Sequence, residues 1–367
     1  MKLTKPFIYI GVLLGAALSQ SCETTPKKEQ EIAANTPKIN QVQVIGSHNS
    51  YKNAIDAELF AYLAEQDSTG GIYGLQYEHI PLLKQLDMGL RNIELDAYAD
   101  SLGGKYANPK GMELVPGQPA YDPEGKLAQP GFKMIHVTDI DYRTQYYLLA
   151  DCLSDLKKWS EAHPDHGTIF VTLEPKDGKA NRFGTAPEAF TSTVFDELDK
   201  TLLKYLGKEH ILTPDDVRGT YATLNEAVRA GQWPTVTAGK GKFLFILDTK
   251  GEKEERYAAG HPSLKGRVLF INAEAGTPEA GAMILNNPED ERIPEYVKAG
   301  YIIRTRADAN TKEARANDYS HFEAAKQSGA QIITTDYYQP SQLFESTYHI
   351  NFGEGVFSRP NPIIGAE

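Results

Sequence analysis

Residues 147–176 read YLLADCLSDLKKWSEAHPDHGTIFVTLEPK. Up to Ala162 the apolar positions Leu149, Cys152, Leu153, Leu156 and Trp159 recur three and four apart, the spacing of one helix face. His163-Pro164-Asp165-His166 breaks that period as a turn, and 169–173 follows as a short apolar, β-branched run suited to a buried strand. The run closes on Glu174 and leads to Lys176. A helix feeding a buried strand that ends on titratable groups is a unit of an α/β fold with a parallel sheet.

The same alternation continues on both sides. Runs at 42–45, 92–95, 134–135, 169–173, 243–247, 268–271, 301–303 and 332–334 read as strands, and 147–162, 187–205, 224–229, 293–298 and 319–327 as helices. Eight short buried strands alternating with helices predict a (β/α)8 TIM-type barrel, one domain with a long insertion after the second strand. A doubly wound open sheet is the competing architecture. The insertion includes GGKYANPKGMELVPGQPAYDPEGKLAQPG at 103–131. Rich in Gly and Pro, it reads as an ordered loop over the barrel mouth, with disorder as the alternative.

The ends of the chain carry a different signal. Lys2 and Lys5 precede an apolar stretch at 6–18 and then Ser19-Gln20-Ser21-Cys22. This pattern predicts an export signal at 1–22, too short in its apolar part to stay in a bilayer as a helix. A cysteine straight after the apolar region resembles a bacterial lipoprotein signal, with Cys22 lipidated and the protein held at the cell envelope, periplasmic or attached to the outer membrane. Leu18 and the bulky Gln20 fit that pattern imperfectly, which keeps plain secretion as the alternative. Residues 23–39 are polar and read as a disordered tether, and 40–367 as the barrel.

Besides Cys22 only Cys152 is present, so no disulfide framework is available and the core must stabilise the fold. The net charge of −11, without a long basic run, argues against nucleic acid as a partner and against nonspecific adhesion to anionic lipid. A monomer is expected.

Titratable residues stand at four successive strand ends: His48 and Asn49 after the first, Glu94 and Asp96 closing the second, His136 after the third, and Glu174 closing the fourth. In a barrel these ends meet on one face, where barrel enzymes keep their active sites. Glu94 and Asp96 are two apart on a strand and point the same way, and two like charges so close repel unless a cation lies between them. With Glu174 and the amide oxygen of Asn49 they form a hard-oxygen set without thiolate, suited to Ca²⁺ or Mg²⁺ rather than Zn²⁺. Taken singly, each acid has pairing with a rim Lys or Arg as its plainer reading. His48 and His136, with ordinary pKa values of about 6.5, supply a general base and a general acid. A cation between two such groups suits an in-line displacement at phosphorus.

The segments GSHNSY (46–51), RNIELDAYAD (91–100), GFKMIHVTDIDYRT (131–144), CLSDLKKWSEAHPDH (152–166), TPDDVRGTYATLNEAV (213–228) and AGYIIRTRADANTKEARANDYSHFEAAKQSGAQIITTDYY (299–338) carry a dense resemblance from about residue 40 onward. They resemble the calcium-dependent phosphoinositide-specific phospholipase C family of bacteria and fungi, within the phospholipase-C-like phosphodiesterase barrels. The resemblance implies His48 as general base on the inositol 2-hydroxyl and His136 as general acid toward the diacylglycerol oxygen. It implies Asn49, Glu94, Asp96 and Glu174 as ligands of Ca²⁺, ahead of Mg²⁺, and an inositol phospholipid or soluble inositol phosphodiester as substrate. A lipid anchor then brings the enzyme to a membrane.

Glycerophosphodiester phosphodiesterases are the runner-up. They share the barrel, a Glu-x-Asp pair and two histidines, but have His-Arg-Gly where this chain has His48-Asn49-Ser50. Glu174-Pro175-Lys176 is similar to their Glu-x-Lys element and marks Lys176 as a phosphate-side cation. A lipoprotein that binds an inositol or sugar phosphate without turnover is the alternative from another class. Arg304 and Arg306 are candidates for phosphate or inositol oxygens, against pairing with acids such as Asp308. Asp336 and Tyr337 are candidates for contact with the inositol ring, and Tyr142 and Arg143 for orienting the loop behind His136.

Overall fold

Eight parallel strands line one lumen: β1 (Val42–Ser47), β2 (Asn92–Ala97), β3 (Ile169–Pro175), β4 (Phe243–Leu247), β5 (Phe270–Ile271), β6 (Ala282–Ile284), β7 (Ile302–Arg306) and β8 (Ile332–Thr335). They pair in the order β5-β4-β3-β2-β1-β8-β7-β6. β5 and β6 meet through one parallel bridge, Asn272 to Ala282, and through the Ile284 N–H, which donates to Asn272 Oδ1 at 2.8 Å. The sheet thus comes back nearly to its own edge, as a (β/α)8 barrel does and an open doubly wound sheet does not. The computed structural model describes Met1 and residues 36–365.

The export signal, Cys22 and most of the tether lie outside the described residues. The expected tether ends sooner than residue 39. Val236 N donates to Pro37 O at 2.8 Å, Lys38 bridges Thr235, and Ile39 is 1% exposed within the main core. A buried isoleucine is worth about 1.5–3 kcal/mol to the fold, so the domain starts at Pro37.

Two strand assignments need correction. Residues 134–135 form no barrel strand: Lys133 makes isolated antiparallel bridges to Tyr98 and Leu148, the buried Met134 joins the main core, and the buried Ile135 joins a separate small core. The eighth strand is instead β6, whose three residues are too few to show a period. The insertion after β2 therefore carries His136 itself. A ninth strand, β9 (Ser358–Pro360), runs antiparallel to the first half of β1, and Arg359 donates to Gln43 Oε1 at 2.7 and 2.9 Å.

The helices fall where the periodicity placed them, at Leu149–Ala162, Ser192–Tyr205, Leu224–Arg229, Arg292–Lys298 and Ser320–Ser328. The second begins later than expected because Thr191 caps it, its side chain accepting from Val194 N.

Register decides what fills the lumen. β1–β8, β2–β3 and β3–β4 pair Val44 with Ile332, Asn92 with Phe170, and Phe170 with Leu244, so alternation places these side chains on the inner face, toward the strand starts. Going up the same faces, the inner positions become Glu94, Asp96, Glu174 and, just past the strand ends, His48 and Asp336. The pairing of Arg304 on β7 with Glu94 on β2, strands separated by β8 and β1, crosses the lumen directly.

The insertion is folded. Its Lys110–Leu114 helix and Lys126–Ala128 turn are pinned by side chains, with Asp122 accepting from Lys126 N and Leu127 N at 2.8 and 2.7 Å. Tyr106, Ile135 and Tyr142 join Leu59 and Leu63 in a separate small core beneath it.

Candidate active site

Local sequence fixes the turn after β1. At Gly46 an added Cβ would lie 2.3 Å from Asn92 Cβ, so only glycine lets β1 approach β2 there. Ser50 N donates to Glu94 O at 2.9 Å and Ser50 Oγ accepts from Glu94 N at 2.8 Å, which ties the turn to β2. His48 N donates to Thr335 O at 3.0 Å and ties it to β8. Asn49 has φ +49°, a left-handed conformation that asparagine tolerates. Its Nδ2 donates to Tyr77 Oη at 2.7 Å, leaving Oδ1 buried with no hydrogen-bond partner.

The acids stand on the neighbouring strands β2 and β3. Asp96 and Glu174 are register partners, and ligand oxygens of Glu94, Asp96 and Glu174 all lie within 4.8 Å of one another. Burial raises Glu94 to about 7 even though Arg304 draws it down, and burial raises Asp96 well above the usual carboxylate range. Arg304 donates to Glu94 Oε2 and Asn286 Oδ1.

Neither Asp96 oxygen has a hydrogen bond of good geometry. Lys176 Nζ stands 3.1 Å from Asp96 Oδ2 and 2.8 Å from Glu174 Oε2. Burial alone would lower this lysine, but Asp96 and Glu174 outweigh it and raise it. The unsatisfied Asn49 Oδ1 and Asp96 oxygens, with the carboxylates of Glu94 and Glu174, are all hard donors and fit a cation such as Ca²⁺.

Each histidine has a buried carboxylate behind it. His48 Nδ1 lies 2.8 Å from Asp336 Oδ1, and its Nε2 is 3.5 Å from Glu94 Oε1. His136 Nδ1 lies 2.6 Å from Asp141 Oδ2. A carboxylate oxygen only accepts, so Nδ1 carries the hydrogen in both rings and Nε2 is left for chemistry. Burial first, then the Arg306 and Arg304 charges, hold His48 well below the ordinary histidine value. The Tyr77 ring lies near both imidazoles, with centroids 6.0 Å from His48 and 6.2 Å from His136.

The fold thus gathers His48, Asn49, Glu94, Asp96, His136, Glu174 and Lys176 at the mouth. Three other candidates are buried. Arg304, 1% exposed, pairs with Glu94 from within the lumen. Asp336 is buried with Oδ1 2.8 Å from His48 Nδ1, so its carboxylate faces the imidazole. Tyr337 is 2% exposed and packs on Phe344 and Tyr348, because inner positions alternate and the residue after Asp336 turns outward.

Arg306 stays at the rim, 18% exposed, with Nη2 3.3 Å from His48 Nδ1 and 3.8 Å from Asp336 Oδ2. Tyr142 donates to Gln118 Oε1 at 2.8 Å and Arg143 to Pro119 O at 3.0 Å, so both serve the insertion. His163 and His166 are held by Trp159 O and Ser160 Oγ in their turn.

Four residues escaped the sequence reading: Lys52, Tyr77, Asp141 and Asp248. Asp248, which burial raises above the ordinary carboxylate value, follows β4 directly, and the strand-end rule that found Glu174 would have found it. For the other three no spacing rule exists, because the insertion and the turn after β1 bring them together.

Paired histidine–carboxylate groups and an acidic cluster that could hold a cation stand at the C-terminal mouth of a (β/α)8 barrel, the face where barrel enzymes keep their active sites. The chain belongs to the family described as Ca²⁺-dependent phosphoinositide phospholipase C, whose sequence model matches residues 38–362. It is a hydrolase of that type. A Ca²⁺-dependent phosphatidylinositol-specific phospholipase C from Streptomyces antibioticus shares its fold, with a TM-score of 0.51 at 20% identity over 82% of this chain and 95% of that one. A calcium-dependent phosphoinositol-specific phospholipase C from a Gram-negative Pseudomonas sp. does so with a TM-score of 0.50 at 17% identity, over 90% and 97%. No curated protein sequence matches the chain.

Proposed function

We propose that this enzyme cleaves a phosphatidylinositol-type phosphodiester by intramolecular attack, with His48 as base and His136 as acid. The observation that carries this reading is the pair of imidazoles, each held at Nδ1 by a buried carboxylate, beside the Glu94–Asp96–Glu174 cluster. His48 Nε2 takes the proton of the inositol hydroxyl next to the phosphate, and that oxygen bonds to phosphorus. The bond from phosphorus to the glycerol oxygen breaks, and His136 Nε2 gives this oxygen a proton, releasing diacylglycerol and a cyclic inositol phosphate.

Asn49 Oδ1, Glu94, Asp96 and Glu174 would hold Ca²⁺, which supplies charge stabilisation for the phosphoryl oxygens. Arg306 adds a guanidinium at the rim, while Lys176 reaches a phosphate only by leaving Asp96 or Glu174. Export with lipidation at Cys22 is part of the proposal and would bring a monomeric enzyme to a membrane surface; loss of palmitate labelling in Cys22→Ala is its test.

Phosphorus NMR of phosphatidylinositol incubated with the enzyme and Ca²⁺ decides the main reading. A cyclic inositol phosphate signal is the expected result. Turnover confined to glycerophosphodiesters and supported by Mg²⁺ alone would point to the glycerophosphodiesterase chemistry instead, and phosphate-ligand binding without any product to a binding protein.

A further inference from the structure

His136 reaches the mouth on the insertion, so its place depends on what joins residues 131–145 to the barrel. The seam is the segment after β1. Gln145 N donates to Tyr51 O at 2.9 Å, Asn53 N donates to Arg143 O at 3.2 Å, and Lys52 pairs with Thr144 in an antiparallel bridge.

At the centre of that seam the Lys52 side chain is fully buried. Its ammonium donates to Tyr77 O at 2.7 Å, Leu75 O at 3.1 Å and Asn53 O at 3.3 Å, and stands 3.3 Å from Asp141 Oδ1. The other oxygen of Asp141, itself fully buried, is the one bonded to His136. The Tyr77 ring covers the ammonium at 4.5 Å.

A buried ammonium satisfied only by carbonyls still needs a counter-charge, and a buried carboxylate needs a cation or donors to face. Lys52 and Asp141 meet both needs at once. Because the cation lies behind the carboxylate, it holds Asp141 without competing for the imidazole hydrogen.

We propose that Lys52 is a positioning residue for the general acid: by pairing with Asp141 Oδ1 it keeps Oδ2 turned to His136, and so keeps His136 Nε2 presented to the leaving oxygen. The inference rests on the two-histidine reading above. Lys52 touches no substrate and acts only through Asp141.

The test compares leaving groups. Phosphatidylinositol leaves an alkoxide that needs a proton, whereas an inositol nitrophenyl phosphodiester leaves a phenolate that does not. Lys52→Met removes both charge and donors. Should it fail to fold, Lys52→Gln keeps an amide donor for the carbonyls and removes only the charge. Folding of each variant is checked by thermal melting, and Lys52→Arg serves as the conservative rescue.

The expected result is a roughly 10- to 100-fold fall in kcat on phosphatidylinositol, part of the general-acid contribution, with less than a few-fold change on the nitrophenyl substrate and recovery in Lys52→Arg. Equal losses on both substrates, or no loss, overturn the proposal. His136→Ala measured alongside separates the failures. If it shows the leaving-group selectivity and Lys52→Gln does not, Lys52 alone is wrongly assigned; if His136→Ala shows none, the two-histidine reading itself falls.

Discussion

The two histidine–carboxylate pairs at the mouth are alike at the imidazole and opposite behind it. His48 and Asp336 follow adjacent strands, β1 and β8, and their cation, Arg306, lies beside the imidazole, 3.3 Å from Nδ1. His136 and Asp141 sit five residues apart on one insertion, and their cation, Lys52, lies on the far side of the carboxylate. A guanidinium against the ring disfavours an imidazolium there, as burial does, which leaves His48 neutral and fit to accept a proton. A cation behind the carboxylate instead fixes which oxygen faces the ring and leaves the imidazole itself uncrowded. One barrel mouth thus builds two unlike environments for the same side chain, one from strand register and one from a buried ion pair.

The largest expected effects fall on the histidines themselves. His48→Ala and His136→Ala should each lower turnover of phosphatidylinositol by roughly 10²–10⁴-fold, the usual range for a general acid or base. Only His136→Ala should recover on the nitrophenyl substrate, since a base is needed whatever the leaving group. Equal recovery in both variants would break the assignment of opposite roles.

Metal removal comes next. A chelator should abolish activity, with Ca²⁺ restoring it better than Mg²⁺. Asp96→Asn should weaken Ca²⁺ binding by at least roughly 10-fold in a calorimetric titration, a loss of about 1.4 kcal/mol or more. Unchanged Ca²⁺ affinity would leave Asp96 as only a partner of Lys176.

Strand register accounts for what the sequence allowed and what it withheld. Glu94, Asp96 and Glu174 were legible because alternation within a strand and the strand-end rule of barrels both act over a few residues. His48 needed only the turn after β1. His136 was placed at the mouth for the wrong reason: Met134 and Ile135 look like a buried strand, yet they join two different cores without pairing in the barrel, which no local pattern announces. Lys52 and Asp141 are far apart in sequence and meet through a fold that had to be known first. Arg304 illustrates the remaining gap, since Arg304 and Arg306 share the inner face of β7 and only their height along the strand decides which is sealed in the lumen and which stands at the rim.

The contrast between barrel and insertion also has a stability form. Leu59→Ala, in the small core under the insertion, should cost about 2–5 kcal/mol, as large-to-small changes at buried sites do. Gly46→Ala, which would drive a Cβ into Asn92, should cost about 1–3 kcal/mol through strain in the sheet. Thermal melting measures both totals. Hydrogen exchange should show Leu59→Ala loosening residues 131–145 with β1 still protected, whereas Gly46→Ala loosens β1 and β2. Exchange spread evenly in both variants would mean that the insertion and barrel open as one unit.

The smallest effect expected is at Tyr337, and it is informative because it should be nearly nothing. The Tyr337 hydroxyl is buried without a hydrogen-bond partner, and its ring packs on Phe344 and Tyr348 on the outward side of the residue after Asp336. An unsatisfied buried hydroxyl costs the fold about 1–3 kcal/mol, so Tyr337→Phe should melt no lower than the parent and turn over phosphatidylinositol within about 2-fold of it. A rise in KM with an unchanged melting temperature would instead put the phenol on the substrate, and would mean that the segment after β8 rotates when the mouth is filled. Asp336 would have to move with it, and the orientation of His48 would then depend on substrate as that of His136 does not.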